Sequence, residues 1–326
     1  FTGSKSVGLY LAHTLGKRLV SNSKYNEKYP SKVITEMGGK NAIIVTANAE
    51  LDETVSGILK SAFAHSGQKC SAASRVLVHE SILEPLKLRL KQAVMDLNVG
   101  EAWRFDTFVN PIVSLSDRDR LRSQIKAAGH EAIREGGEVL VDRSQEELPG
   151  TCVGPAVFVL PKKQFFSSES YSMKELFGPV VHLTSFENLD EALEIFNTTE
   201  YALTGGIFSQ SQDDIDYLVG KMLCGNLYVN RTITGARVGI EPFGGFKLSG
   251  TGPKAGSPKY IEAFHVIPPS VPLLKNLTKF GSEDPMSESR EIMLSSPSDL
   301  PPGMLLARVQ RGVKSILTNF EFLYQG

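Results

Sequence analysis

Apolar residues recur along this chain in two alternating rhythms. Val55, Ile58, Leu59, Ala62 and Phe63 fall at i, i+3, i+4, i+7 and i+8. That spacing predicts a helix with one buried face. Asp52 is placed to cap it and Gly67 to stop it. Ile82, Leu83, Leu86, Leu90 and Val94 predict a second helix over residues 81–97, and Val7, Leu11 and Leu15 one over residues 5–20. Leu121 with Ile125, residues 189–196 and residues 215–223 give three more. Between these lie short β-rich runs: Val33-Ile34-Thr35, Ala42-Ile43-Ile44-Val45, and residues 75–79, 139–141, 157–160, 180–183, 207–208 and 226–230. Alternation of this kind predicts an α/β fold with a largely parallel sheet.

Two stretches break the pattern. Residues 235–256 are Gly-rich and loop-like, and residues 268–302 turn Pro/Ser-rich, which reads as a linker. Leu306, Val309, Val313, Ile316, Leu317 and Phe320 then predict a terminal amphipathic helix, suited to docking or to homo-oligomer formation. The first residues, Phe1-Thr2-Gly3-Ser4, read as the middle of an element rather than the start of a gene product. A fragment or an expressed domain is the expectation.

Composition narrows the function classes. With 326 residues and 41% hydrophobic content, the chain is long enough for two domains with real cores. A net charge of -1 gives no bulk attraction to nucleic acid or an anionic membrane. No apolar run approaches the roughly 20 residues of a membrane span, and no secretory signal is visible. The three cysteines, Cys70, Cys152 and Cys224, are odd in number and far apart. No Cys or His pair has zinc-ligand spacing, so no metal site is expected. Free thiols of this kind suit a reducing cytoplasm.

Three segments carry candidate chemistry. In Glu36-Met37-Gly38-Gly39-Lys40-Asn41 a carboxylate follows a short apolar run and precedes two glycines, which permit close backbone approach. In Gly67-Gln68-Lys69-Cys70-Ser71-Ala72 a lone thiol sits among small residues after a helix. Together they supply a nucleophile and a base to activate water. Cys70 alone more often reads as an inert core thiol; Glu36 beside it shifts the balance. In Thr2-Gly3-Ser4-Lys5-Ser6-Val7-Gly8 the free N–H groups of a helix start favour phosphate, but the signal is weak and an ordinary Ser-capped helix is the commoner reading of such a segment.

These segments, F-T-G-S-x-x-V-G, E-M-G-G-K-N and G-Q-K-C-S-A, resemble the aldehyde dehydrogenase superfamily, as do E-L-F-G-P-V at 175–180 and P-F-G-G-F-K-L-S-G at 242–250. The five motifs occur in order, and Glu36 and Cys70 stand 34 residues apart, as in that family. The resemblance implies a partial Rossmann-like cofactor domain (1–38), a catalytic α/β domain (39–248), a returning oligomerisation segment (249–270), the linker (271–303) and the helical tail (304–326). It implies that Cys70 attacks an aldehyde and that Glu36 activates the water that hydrolyses the resulting thioester. Gly3 and Ser4 would lie near the cofactor pyrophosphate, Glu175 at the nicotinamide ribose, Phe177 beside the ring and Phe243 in the aldehyde pocket. The cofactor would be NAD or NADP; the residues that separate the two lie upstream of this sequence.

Asn230-Arg231-Thr232-Ile233-Thr234-Gly235-Ala236 and the Ser249–Gly256 run look like glutamate γ-semialdehyde (1-pyrroline-5-carboxylate) dehydrogenases, including the C-terminal module of bifunctional proline-utilisation proteins. In that group the loop matching Gly235 and Ala236 holds the substrate α-carboxylate, helped by the residue matching Ser71. A proline dehydrogenase domain on the parent chain is a further implication. The family's N-terminal portion, absent here, supplies an oxyanion donor whose loss typically costs about 10²–10³ in rate, so this chain alone is expected to turn over weakly. Two other readings stay open: an aldehyde dehydrogenase for a different aldehyde, and a catalytically silent structural or oligomerisation module.

Overall fold

A computed structural model describes residues 1–22 and 27–264. The linker and tail read from the sequence at 271–326 lie outside the described residues. The chain opens with α1 (Lys5–Gly16) and the antiparallel pair β1 (Leu19–Asn22) and β2 (Glu27–Pro30). The remaining elements are β3 (Asn41–Val45), α2 (Leu51–Phe63), β4 (Ala73–His79), α3 (Leu83–Met95), α4 (Leu115–Arg134), β5 (Glu138–Asp142), β6 (Ala156–Val159), β7 (Val180–Phe186), α5 (Leu189–Asn197), β8 (Tyr201–Ala202), β9 (Thr204–Phe208), α6 (Gln212–Val219), β10 (Asn226–Val229), β11 (Phe246–Lys247) and α7 (Pro258–Glu262).

Seven strands form one sheet in the order β10-β9-β3-β4-β7-β6-β5. Every pairing is parallel except the β5–β6 edge. The α/β class and parallel sheet expected from the alternating pattern are therefore present. β3 is buried at all five positions because both faces are covered. On one face Ile43, Val76, Val78 and Val181 pack with Ile58 and Phe63 of α2 and Leu86 and Leu90 of α3. On the other Ile44, Leu77 and Phe158 pack with Leu121 and Ile125 of α4 and Ile195 of α5. At roughly 25 cal/mol per Å² of apolar surface, these two layers provide most of the drive to fold.

The chain divides into two units. One comprises Phe1–Ala236 with Phe243–Gly252, the other Arg237–Pro242 with the chain from Pro253 onward. In the second, Arg237 pairs with Glu241 at 3.7 Å, and the Tyr260 and Phe264 rings of the α7 region meet edge to face.

Three local expectations are corrected. Val33-Ile34-Thr35 is not a strand: the Thr35 N–H is taken by the Thr251 hydroxyl at 2.9 Å, and the isolated bridges nearby are made by Glu36, to Thr2 and to Gly250. The first helix stops at Gly16, and Val20 enters β1 instead. The α2 cap is Glu50 rather than Asp52, its carboxylate accepting the N–H groups of Asp52 and Glu53 at 3.2 and 2.6 Å.

Candidate active site

Glu36 is held between two distant segments. Its backbone pairs with the chain start, Glu36 N–H to Phe1 O at 2.8 Å and Gly3 N–H to Glu36 O at 3.0 Å. On the other side Met37 N–H donates to Ser249 O and the Ser249 hydroxyl donates to Gly38 O, both at 2.8 Å. The Glu36 carboxylate accepts the Gly245 N–H at 3.2 Å. The 242–250 motif thus acts as a cradle for the carboxylate motif, and Phe243 opens it, half-buried.

Cys70 sits on a constrained turn. After α2 the backbone takes three consecutive left-handed residues, His65 (φ 55), Ser66 (φ 56) and Gly67 (φ 66). Gly67 is required there: a Cβ would run into Gly178 O and, at 2.9 Å, Ala62 O. The two non-glycine residues cost about 1 kcal/mol each in that region. Side-chain bonds from the 110–113 segment offset this. The Ser66 hydroxyl donates to Asn110 O, Gln68 Nε2 donates to Pro111 O at 3.2 Å, and Val113 N–H donates to Gln68 Oε1 at 3.0 Å. Beyond the turn, buried Asn41 fixes the peptide. Its Nδ2 donates to Cys70 O at 2.7 Å and Ala72 O at 2.8 Å, and its Oδ1 accepts Thr204 N–H at 2.9 Å. Ser71 is buried next to the thiol, its carbonyl accepting the Thr204 hydroxyl at 3.1 Å.

The Cys70 thiol is half-buried, and burial holds its pKa above the ordinary thiol value. The backbone N–H groups of Ser71 and Cys70 pull it down, while the charges of Glu175 and Glu36 push it further up. Lys69, the adjacent cation, is not among the groups that move it.

Glu175 closes the other wall. Its carboxylate accepts the Gly39 N–H at 3.1 Å and lies so close over Gly38 that a Cβ there would overlap both oxygens. Burial raises the Glu175 pKa, opposed by the Gly39 N–H and by the charges of Lys40 and Lys5. Phe177 follows with φ 56 and is 45% exposed, an open ring face on a fixed backbone. Gly39, Lys40, Lys69, Ser74, Glu175 and Phe177 line one cleft.

Gly3 and Ser4 stand at the start of α1. Ser4 is at the N-cap but its side chain caps nothing, bonding Ser6 Oγ at 3.2 Å instead, so the first-turn N–H groups face outward unused by a side chain. The 230–236 loop runs back along the sheet: Ile233 is buried over Gly206, and its N–H donates to Ser61 Oγ on α2 at 3.1 Å. Gly235 follows exposed with φ 85 and open space around it, and Ala236 is half-buried. The structure therefore gathers Glu36, Cys70, Ser71, Glu175 and Phe177 at the amino-terminal ends of β3, β4, β7 and β9. The Gly235 loop is tied to α2 through Ile233 and Ser61 and to β9 through Ile233 over Gly206.

With this geometry in view, comparison with known proteins is decisive. A family model described as "Aldehyde dehydrogenase family" matches residues 1–267. The chain belongs to the aldehyde dehydrogenase family. This family member is 36% identical over 267 residues to a 1-pyrroline-5-carboxylate dehydrogenase of Staphylococcus haemolyticus, covering 81% of the chain and 48% of that protein. Against a solved 1-pyrroline-5-carboxylate dehydrogenase from Thermus with bound NAD, identity is 35% and TM-score 0.72, covering 81% and 48%. Against proline utilization A from Bdellovibrio bacteriovorus the values are 39% and 0.70, covering 81% and 26%. The chain spans about half the length of the curated relatives it matches. Among the described residues of this aldehyde dehydrogenase chain, no helix is long and apolar enough to cross a membrane.

Sequence reasoning passed over Asn41, Lys40, Gly245 and Ser249. All four lie inside motifs already singled out. A polar residue opening an apolar strand (Asn41), and a lysine between a glycine pair and that strand (Lys40), were the available signals.

Proposed function

We propose that this protein oxidises L-glutamate γ-semialdehyde to L-glutamate, with NAD as cofactor, as a step of proline breakdown. The observation that carries the reading is the convergence of the Cys70 turn, the Glu36 carboxylate and the Glu175 carboxylate on one set of strand ends. The residues present suit the cofactor. The uncapped first turn of α1 at Gly3 and Ser4 offers N–H donors to a pyrophosphate. Glu175 offers an acceptor to ribose hydroxyls, and the exposed Phe177 ring offers a stacking face.

NAD, when bound, supplies the hydride acceptor. Cys70 Sγ adds to the aldehyde carbon, and the Ser71 and Cys70 N–H groups favour the thiolate that does so. Once the carbon has given up its hydride, Cys70 holds it as a thioester. Glu36 takes a proton from water, the water oxygen attacks the thioester carbon, and the C–S bond breaks to release the carboxylate and the Cys70 thiol. The Gly245 N–H holds the Glu36 carboxylate at the site. Ser71, Gly235 and Ala236 suit the α-carboxylate of the substrate through hydroxyl and N–H donors, and Phe243 suits the aldehyde chain. NAD rather than NADP, and a proline dehydrogenase domain on the same parent chain, belong to the same reading.

The test uses the full-length protein that carries this sequence. Glutamate γ-semialdehyde is expected to be preferred to unsubstituted aldehydes of similar length. Cys70→Ser should abolish NADH formation. Glu36→Gln should keep one burst of NADH per site while steady turnover falls at least about 100-fold. Equal turnover of all aldehydes, or a burst that survives in Cys70→Ser, would refute the assignment.

A further inference from the structure

Lys40 has no part in the chemistry just described, yet it is one of the largest fully buried side chains, 2% exposed. It lines the cleft that holds Glu175 and Phe177. A methionine of similar length would fill the same space without the cost of taking an ammonium out of water. We infer that Lys40 is a positioning residue for Glu175: its charge on the cleft wall holds that carboxylate in place to accept the hydroxyls of a cofactor ribose. The inference rests on the reading of Glu175 as the ribose acceptor.

Four charged or titratable groups face Lys40. Arg75, from β4, is a like charge already committed to three carbonyls, donating to Lys40 O at 2.9 Å, Ile195 O at 3.0 Å and Phe196 O at 3.1 Å. His182, from β7, is buried and held neutral, its pKa well below the ordinary histidine value. Glu131, from α4, accepts the Tyr171 N–H at 3.0 Å and acts more weakly on Lys40 than Glu175 does. Glu175 is the remaining anion, and it shares the cleft. The attraction is reciprocal: Lys40 lowers the Glu175 pKa against the burial that raises it. Burial and Arg75 together push Lys40 down to about 7. Its charge is thus lost as pH rises through neutrality, and with it the attraction that holds the Glu175 carboxylate in place.

The experiment measures the Kd of NADH, whose nicotinamide is uncharged, by its fluorescence on the full-length protein. Wild type, Lys40→Met, Glu175→Gln and the double variant form a cycle. Lys40→Met is expected to weaken binding about tenfold in the wild-type background and less than about twofold beside Glu175→Gln. Wild-type affinity should fall as pH rises through about 7, and that fall should vanish in Lys40→Met. Effects that simply add, or a Lys40→Met protein with the wild-type Kd and pH profile, overturn the inference. If Lys40→Met does not fold, Lys40→Arg decides. Tight binding that no longer falls from about pH 6 to about pH 8 supports the inference, and a wild-type fall overturns it. A wild-type protein that binds no NADH overturns the cofactor reading, and this inference with it. Additive effects in a protein that binds NADH overturn this inference alone.

Discussion

At the scale of residues, Cys70 is a half-buried thiol under the influence of two carboxylates, with only backbone N–H groups to favour its thiolate. Burial is the largest influence and Glu175 and Glu36 add to it, so the free protein keeps this cysteine protonated at neutral pH. Alkylation of Cys70 by iodoacetamide, followed on its own peptide by mass spectrometry, should still be rising above the ordinary thiol range near about 8.5. Replacing Glu36 or Glu175 by Gln removes a negative charge that opposes the thiolate, so the rise should move to lower pH. A rate already level by about pH 8 would contradict this. Cys70 and Glu36 were legible in the sequence because their neighbours are small or glycine. Asn41 was not, because its three hydrogen bonds are to backbone groups far along the chain, which no local pattern displays.

At the scale of elements, the carboxyl end of α5 joins β4, the strand after Cys70, to the 242–250 motif. Arg75 of β4 donates to Ile195 O and Phe196 O from beneath, and Lys247 of β11 donates to Asn197 O at 2.9 Å and Thr199 O at 3.0 Å. Two cations thus satisfy the last carbonyls of a helix whose dipole favours positive charge there. They differ in what their loss leaves behind. Arg75→Met strands three buried carbonyls and should cost about 2–4 kcal/mol, whereas Lys247→Met exposes its carbonyls to water and should cost about 0.5–1.5 kcal/mol. Urea unfolding midpoints separate the two, and equal losses would remove the distinction. Helix periodicity placed α5 correctly. What it hid was the clamp, since Arg75 reads as an ordinary polar position in a strand.

At the scale of the whole molecule, alternation of helical and extended rhythms was enough to read an α/β fold with parallel strands. It was not enough to read the strand order, because β3 pairs with β9 and β4 with β7 across more than a hundred residues. Nor did it show β5 as an antiparallel edge. Those pairings are fixed by which apolar faces meet, and they also fix where the protein resists opening. β3 is buried throughout, while β5 and β10 are edges with exposed or half-buried positions. Amide exchange should therefore be slowest at Ile43, Ile44, Val76 and Leu77 and faster along Glu138–Asp142 and Asn226–Val229. Uniform protection across the sheet would show that its edges are covered in solution. The candidate site lies at the amino ends of the strands, whereas open α/β sheets usually bind ligands beyond the carboxyl ends. Fold class alone points to the opposite rim.

The contact between Gly38 and Glu175 bears on how such sequences drift. Because the carboxylate occupies the space where any side chain at position 38 would begin, the two positions are not free to vary independently, although 137 residues separate them. An alanine at 38 is compatible only with a shortened or displaced acid at 175. Among descendants of this chain, changes at the two sites should arrive as a pair, the acid yielding first.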